Sequence, residues 1–427
     1  MASATGLAKF LFVHNNFPGQ FAHLIRHLLA LGHEVHGVGW HTGDAAPLRA
    51  LGLQLHAYPL PRQLPPAAPW PHLQDFQTKL IRAEGALRMF GALRQRGFEP
   101  DMVVAHPGWG EGLFLKDVWP RAVHLHYLEF FYSLHGRDMD FDPEFRPAPE
   151  QALAQAQRLR LKNLNPLVHL EAMDAGWSPT RWQRSTYPDW IQDRIEAVFD
   201  GIDTASLAPQ ADAVFALGAG RVLRTGDPVV TFVNRNLEPY RGYHVFMRAL
   251  PKILRDHPQA QVVVVGGDGV SYGASPPAGQ SWREIFLSEV RAELDLQRVH
   301  FVGHLPRAQF TQLLQVSACH VYLTYPFVLS WSCVEAMSVA CPIVASDTAP
   351  VREFLQHGHN ALLVDFFDTE ALGQAVLGLL RDRALAQRLG HAARAHAVAH
   401  CDWQTVCLPQ QLAMIDRLLQ TRLSTRS

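Results

Sequence analysis

Short, continuous apolar runs alternate with amphipathic segments along nearly the whole of this chain, and that alternation restricts the fold more than any other feature. Lys9–His14, Glu34–Trp40, Asp101–Ala105 and Ala122–Tyr127 are such runs in the first half, followed by the shorter Ala175–Thr180 and Ala197–Asp203. Pro228–Val233, Gln261–Val265, Val299–Val302, His320–Leu323, Pro342–Ala345 and Ala361–Val364 repeat the pattern in the second half. Strands without a polar face belong to parallel sheets covered on both sides, and the segments between them read as crossover helices. Leu24, Leu28 and Leu31 mark one helix, ended by Gly32; residues 74–95 and 150–164 read as two more. In the second half helices start near Gly242, Ser281, Arg307, Ser330, Val351 and Thr369.

The expected architecture is α/β, with two doubly wound, Rossmann-like domains facing a cleft. They take residues 1–204 and 205–402, and the boundary lies in an Ala-, Gly- and polar-rich stretch from Ala205 to Pro228 that shows no strand signal. A last helix, Trp403–Leu419 within segment 403–427, is long enough to cross back onto the first domain. Tyr58 to Pro71 is crowded with proline and reads as a surface loop; Gly136–Phe145 is acidic and aromatic and reads as an ordered loop over the cleft.

A chain of 427 residues has room for two or three domains with their own cores. Lys and Arg number 38 against 39 Asp and Glu, so no overall field attracts nucleic acid or an anionic membrane. Charged residues at 18% and hydrophobic ones at 48% describe a packed protein. The apolar run after Met1–Lys9 is too short for a signal sequence and no window approaches a transmembrane span, so a cytoplasmic protein is expected, with at most peripheral membrane contact. Cys319, Cys333, Cys341, Cys401 and Cys407 form no C-x-x-C pair, which argues against a zinc site or a disulfide framework.

Candidate chemistry gathers at strand ends. Val321-Tyr-Leu-Thr324 reads as a buried strand, Tyr325–Leu329 as a loop, and Ser330 or Ser332 as the N-cap of the next helix; free N–H groups at such a start favour an anion. Arg235 and Arg241 leave the end of another buried strand just before a helix, and paired guanidiniums suit a diphosphate. The alternative is two surface arginines, one of them paired with Glu238. Glu335 stands three residues after Ser332, so it is either half of a capping box or a carboxylate for both hydroxyls of a ribose. Gly266-Gly-Asp268-Gly is a fragment of a dinucleotide fingerprint. On the first-domain side, the Gly19 turn, Asn15–Gln20, is either substrate-facing or there for backbone geometry. Of 23 histidines most read as solvated, but His14 and His106 end strands and are placed to meet an acceptor hydroxyl.

Together these segments resemble a GT-B glycosyltransferase, similar to the retaining enzymes of glycosyltransferase family 4, over nearly the whole chain and most strongly from Thr231 to Val364. The resemblance implies that Arg235 and Arg241, the latter where the family usually has Lys, hold the donor diphosphate. It implies that Glu335, opening Glu335-Ala-Met-Ser-Val-Ala340, binds ribose, that the N–H groups of Leu329, Ser330, Trp331 and Ser332 receive the phosphates, and that His304-Leu305-Pro306 lies against the base. The family's first glutamate, which touches the donor sugar, falls at Phe327; Asp268 is the nearby acid that stands to compensate.

The implied reaction moves a sugar from a UDP- or GDP-linked donor to a hydroxyl on a carbohydrate, lipid-linked or protein acceptor, keeping the anomeric configuration. Neither a metal nor a further cofactor is implied, since two guanidiniums and a helix dipole can neutralise the diphosphate. The acceptor side is expected at His14, Asn16, Gly19, Gln20, His106 and Glu129. The rivals are a sugar-nucleotide epimerase of the same architecture and a non-catalytic subunit that binds the nucleotide sugar. A pyridoxal-phosphate phosphorylase is disfavoured, because none of Lys9, Lys79, Lys116, Lys162 and Lys252 falls in the second-half donor loops.

Overall fold

The computed structural model describes residues 6–64, 70–218 and 220–424, and the chain folds as two compact units. One is Met1–Gly201 with Trp403–Ser427; the other is Ile202–Asp402. The first unit is built on β1 (Lys9–Val13), β2 (Glu34–Gly39), β3 (Gln54–Ala57), β4 (Met102–Ala105), β5 (Val123–Tyr127), β6 (Ala175–Ser178) and β7 (Ile195–Ala197). They form one sheet in the order β3-β2-β1-β4-β5-β6-β7, and every pairing is parallel.

β1 shows why the sheet needs cover on both faces. Successive side chains alternate, so Phe10 and Phe12 enter one apolar cluster while Leu11 and Val13 enter another. The second cluster is filled by Tyr58, Phe90 and Trp119. The first is completed by Leu408, Met414, Ile415 and Leu419, so the end of the chain does return to the first unit. Gln411 Nε2 donates to the carbonyls of Phe199 and Asp200, and Arg422 pairs with Asp101, whose Oδ2 accepts from the Lys9 amide.

In the first unit the details differ from the sequence reading in four places, each for a local reason. The last helix is not continuous from Trp403: a π turn, Trp403–Cys407, precedes an α-helix from Leu408 to Ser424. Pro409 lacks an amide hydrogen and is tolerated only in a first turn, so the α-helix starts just before it. The strand expected at Ala197–Asp203 is Ile195–Ala197, because the chain turns at Gly201 (φ 90°), where a Cβ would lie 2.6 Å from Trp403 Cα. β3 was not expected; it is a part-exposed edge strand with no apolar run to betray it. Tyr58, read as loop, is buried, and residues 65–69 of that proline-rich stretch lie outside the described residues.

The second unit opens with an antiparallel hairpin, β8 (Val214–Gly218) and β9 (Arg221–Arg224), in the stretch expected to lack strands. β8 turns Phe215 and the part-buried Leu217 inward and β9 only Leu223, an alternation too short to stand out as a period-two signal. The pair packs on Val229, Val233, Val263, Val265 and Leu313 and so covers one face of the sheet that follows. That sheet comprises β10 (Val229–Asn236), β11 (Gln261–Gly267), β12 (Val299–Gly303), β13 (Cys319–Tyr322), β14 (Ile343–Ser346) and β15 (Leu362–Val364). Its order is β12-β11-β10-β13-β14-β15, again all parallel.

Both sheets therefore reverse direction once, beside their first strand. The loops after β1 and β4, and those after β10 and β13, leave neighbouring strand ends on either side of that reversal, where doubly wound sheets hold ligands. No helix among the described residues is long and apolar enough to cross a membrane. Ile415→Ala, which empties a site only 1% exposed between the last helix and β1, is expected to cost about 2–5 kcal/mol. Denaturant unfolding followed by fluorescence reads this as an earlier transition of the first unit alone.

Candidate functional site

In the second unit the strand ends β10 and β13 frame an open hollow of about 520 Å³. Its lining is Val233, Asn234 and Arg235 from the end of β10, Val265 of β11, His304, Leu305 and Phe310 beyond β12, and Ser330 and Ser332 at the start of the helix Trp331–Ser338. Five residues expected to contact a donor thus share one wall: Arg235, His304, Leu305, Ser330 and Ser332. Arg235 is exposed, and His304 Nε2 lies 2.8 Å from its backbone carbonyl, which ties the loop after β12 to the end of β10.

Arg241 is not part of that lining. Its side chain is buried, and Nη1 donates to Thr324 Oγ1 (2.7 Å) and to the Val328 carbonyl (2.9 Å). The guanidinium carbon lies 5.2 Å from the ring centre of Tyr272 and 5.8 Å from that of Phe327. The six-residue offset between the arginines spans a short turn, Pro239–Arg241, and Gly242 (φ 70°), after which the helix Tyr243–Asp256 begins. A Cβ on Gly242 would sit 2.4 Å from Leu323 Cβ, so only glycine lets the turn approach β13. Arg241 thereby holds the Thr324–Val328 loop from beneath. Neither arginine is paired with Glu238, whose carboxylate accepts from the amides of Ser271, Tyr272 and Gly273 at 3.1–3.2 Å.

Glu335 is 4% exposed, and it does not close a capping box. The N-cap is Ser330, whose Oγ accepts from Ser332 N, and the Glu335 carboxylate is bonded to Arg307 Nη1. Burial pushes this carboxyl above the ordinary carboxylate range, and the Arg307 guanidinium opposes the shift. Two of the N–H groups expected to be open for phosphate are engaged: Ser330 N donates to Tyr322 Oη (2.8 Å) and Ser332 N to Ser330 Oγ (3.4 Å). Leu329 is buried and Trp331 is 41% exposed. Asp268 is 3.1 Å from Arg283 and does not line the hollow, while Gly266 packs on Leu237. Phe327 is buried among Tyr240 and Tyr272, with ring centres 5.4 and 4.9 Å away, so the space a first glutamate would take is aromatic.

The sequence reading passed over Asn234, Phe310 and Arg307. Arg307 carried a usable signal. It occupies the first position of the helix Arg307–Val316, where the backbone dipole disfavours a cation, so a local rule is broken for the sake of a distant partner.

In the first unit the loops after β1 and β4 bring His14 and His106 together, with ring centres 5.1 Å apart and Trp109 against both. Each ring uses Nδ1 to cap its own loop, His14 accepting from Asn16 N and His106 from Gly108 N, both at 3.0 Å. Gly19 (φ 54°) passes so close that a Cβ there would be 2.4 Å from His14 Nε2. The Gln20 amide lies beside that same nitrogen without reaching hydrogen-bond geometry, and His106 Nε2 is 3.9 Å from Glu129 Oε2. Burial lowers the His14 pKa to about 4 and that of His106 well below the ordinary value. Both rings are neutral at pH 7. His124, His126 and His169 are buried and lowered in the same way.

Residues 32–207 match the family model described as glycosyl transferase family 4 group, and residues 219–396 that of the glycosyl transferases group 1. The chain is 30% identical to a glycogen synthase of Mycobacterium tuberculosis over 188 residues, 44% of this chain and 42% of that protein. It is 31% identical to a phosphatidyl-myo-inositol mannosyltransferase of Mycolicibacterium smegmatis over 235 residues, 53% and 52% of the two. The matched stretches thus span about half or less of these relatives' length. Among solved structures, a sucrose-phosphate synthase from Thermosynechococcus elongatus superposes with a TM-score of 0.70 at 19% identity, covering 97% of this chain and 99% of that one. An Anabaena protein crystallised with UDP and glucose gives 0.64 at 16% identity, covering 96% and 99%.

Two outcomes follow from the side-chain environments. Arg241→Ala, which strips a buried network, is expected to lower the melting midpoint of the second unit clearly, whereas exposed Arg235→Ala leaves it within a degree or two; differential scanning fluorimetry compares them. The first unit is expected to weaken in acid. The unfolded chain binds protons at its histidines below about pH 6.5 while the buried rings do not, so stability is lost as pH falls toward 4, by up to about 1.4 kcal/mol per pH unit for each such histidine. Urea midpoints between pH 7.5 and 5 test this.

Proposed function

This chain belongs to the glycosyltransferases of family 4, group 1, and from that premise we propose that it moves a sugar from a nucleoside diphosphate sugar to a hydroxyl acceptor with retention of configuration. One observation carries the reading: Arg235, His304, Leu305, Ser330 and Ser332 line a single hollow at the reversal point of the second sheet, with Glu335 one helical turn beyond Ser332.

In the proposed reaction the bond between the anomeric carbon and the diphosphate oxygen breaks, and negative charge collects on the leaving phosphate. Arg235 neutralises that charge from the end of β10, and the Ser330 and Ser332 hydroxyls donate to it. Arg241 acts from beneath by fixing the Thr324–Val328 segment. Glu335 accepts the ribose hydroxyls and His304-Leu305 packs on the base, which is uracil or guanine. The leaving phosphate takes the acceptor's proton, so the step needs neither a protein base nor a metal. Neutral His14 and His106, with Asn16, Gly19, Gln20 and Glu129, serve the acceptor. The names of the relatives, a glycogen synthase and a phosphatidyl-myo-inositol mannosyltransferase, point to a carbohydrate or lipid-linked hydroxyl in the service of polysaccharide or glycoconjugate synthesis.

Phe327, buried in its aromatic cluster, favours one second reading, a subunit that binds the nucleotide sugar without turnover. A thermal-shift screen of UDP, GDP, ADP and their sugars identifies the donor, since a ligand of the native state raises the midpoint. With that donor and a panel of acceptors, Arg235→Ala is expected to reduce turnover by about a hundred-fold or more. Turnover within a few-fold of wild type sinks the phosphate grip, and tight donor binding with no transfer to any acceptor supports the silent subunit.

A further inference from the structure

Glu335 is a buried carboxyl whose bonded partner, Arg307, belongs to a different helix and has a side chain 61% exposed. A surface arginine with a buried acid is an asymmetric arrangement. Exposed pairs contribute little to stability, but a buried carboxylate that loses its only cation is expensive to keep charged. The pair adjoins the hollow without lining it. Ser332 lines it and shares a helix face with Glu335, three residues on; Phe310 lines it three residues after Arg307, and the Arg307 guanidinium carbon is 5.9 Å from the Phe310 ring centre.

We propose that Arg307 is a positioning residue for nucleotide binding: it holds Glu335 as a charged carboxylate at the edge of the hollow, ready to accept ribose hydroxyls, without contacting the nucleotide itself. This rests on the ribose role of Glu335 proposed above. The other charged or titratable groups near this end of the helix are few. Arg235 and His304 line the same hollow, the Tyr322 hydroxyl accepts from Ser330 N at the start of the helix, and the Cys333 thiol is on the same helix, with Cys401 and Glu353 beyond it. Arg394 reaches only the opposite end, donating to the Ser338 carbonyl. Arg307 is the cation bonded to Glu335, and the upward push of burial on this carboxyl is opposed by that guanidinium.

The sign follows directly. Without the guanidinium the acid gains a proton at higher pH, and a protonated Glu335 has lost half its capacity to accept. UDP and GDP affinities of wild type, Arg307→Gln, Arg307→Lys and Glu335→Gln, measured calorimetrically from pH 5.5 to 8.5, test it. Expressing each Kd as a ratio to wild type at the same pH removes the nucleotide's own titration. The Arg307→Gln ratio is expected to rise as pH falls, by up to about ten-fold per pH unit, and to approach one at pH 8.5. Arg307→Lys, which keeps the charge, is expected to stay within a few-fold of wild type throughout, and the Arg307→Gln effect to vanish with the 2′,3′-dideoxy nucleotide. An Arg307→Gln ratio that is flat with pH, or that persists with the dideoxy nucleotide, overturns the proposal by making Arg307 a direct contact or a bystander. If Glu335→Gln leaves affinity unchanged at every pH, the ribose reading itself is what has failed.

Discussion

The central parallel strands of this protein have no face left for water, and that constraint organises everything else. β1 sends Phe10 and Phe12 one way and Leu11 and Val13 the other, so each sheet must be covered twice. In the first unit the chain has to return after some two hundred residues to supply the cover, and Leu408, Met414, Ile415 and Leu419 do so. In the second unit a small hairpin contributes Phe215 and Leu223 to the same end. With both faces of the central strands occupied, the strand ends are where the backbone opens to a ligand. The order of strands decides which ends have an open neighbour.

At those ends the protein accepts buried charge and then satisfies it. Arg241 spends its donors on Thr324 and Val328, and Glu238 is capped by three consecutive amides. Glu335 is answered by Arg307, at the cost of a cation on the wrong end of a helix dipole. Each of these three charged groups has a specific partner, so charge-assisted bonds act together with aromatic packing in holding the loops that bear the hollow. The first unit follows the opposite course at His14 and His106. These rings remain neutral and each caps its own loop, leaving the second nitrogen beside Gln20 or Glu129.

The two arginines show how far spacing can be trusted. Arg235 and Arg241 both follow one strand and look interchangeable in the sequence, yet one is exposed on the hollow and the other is buried beneath a neighbouring loop. What separates them is Gly242, whose left-handed backbone turns the segment onto Leu323. Phe327 is a similar case. Its identity alone says that a carboxylate is missing, while its neighbours Tyr240 and Tyr272 show that the space was rebuilt with rings.

By itself the sequence determined the class of fold, the central strands of both sheets, the helix that returns to the first unit and the clustering of candidate residues at strand ends. Those are consequences of apolar runs and of residue types, which are local and survive without coordinates. β3, the β8–β9 hairpin and the break before Pro409 escaped because they bury two side chains at most, β3 none, and leave too short a periodic trace. Only the tertiary structure decided that Ser330 and not Ser332 caps its helix, that Asp268 belongs to Arg283, and that Glu335 belongs to Arg307. Partners of buried charges come from other strands and helices, and which ones meet depends on the packing of the whole unit rather than on spacing along the chain.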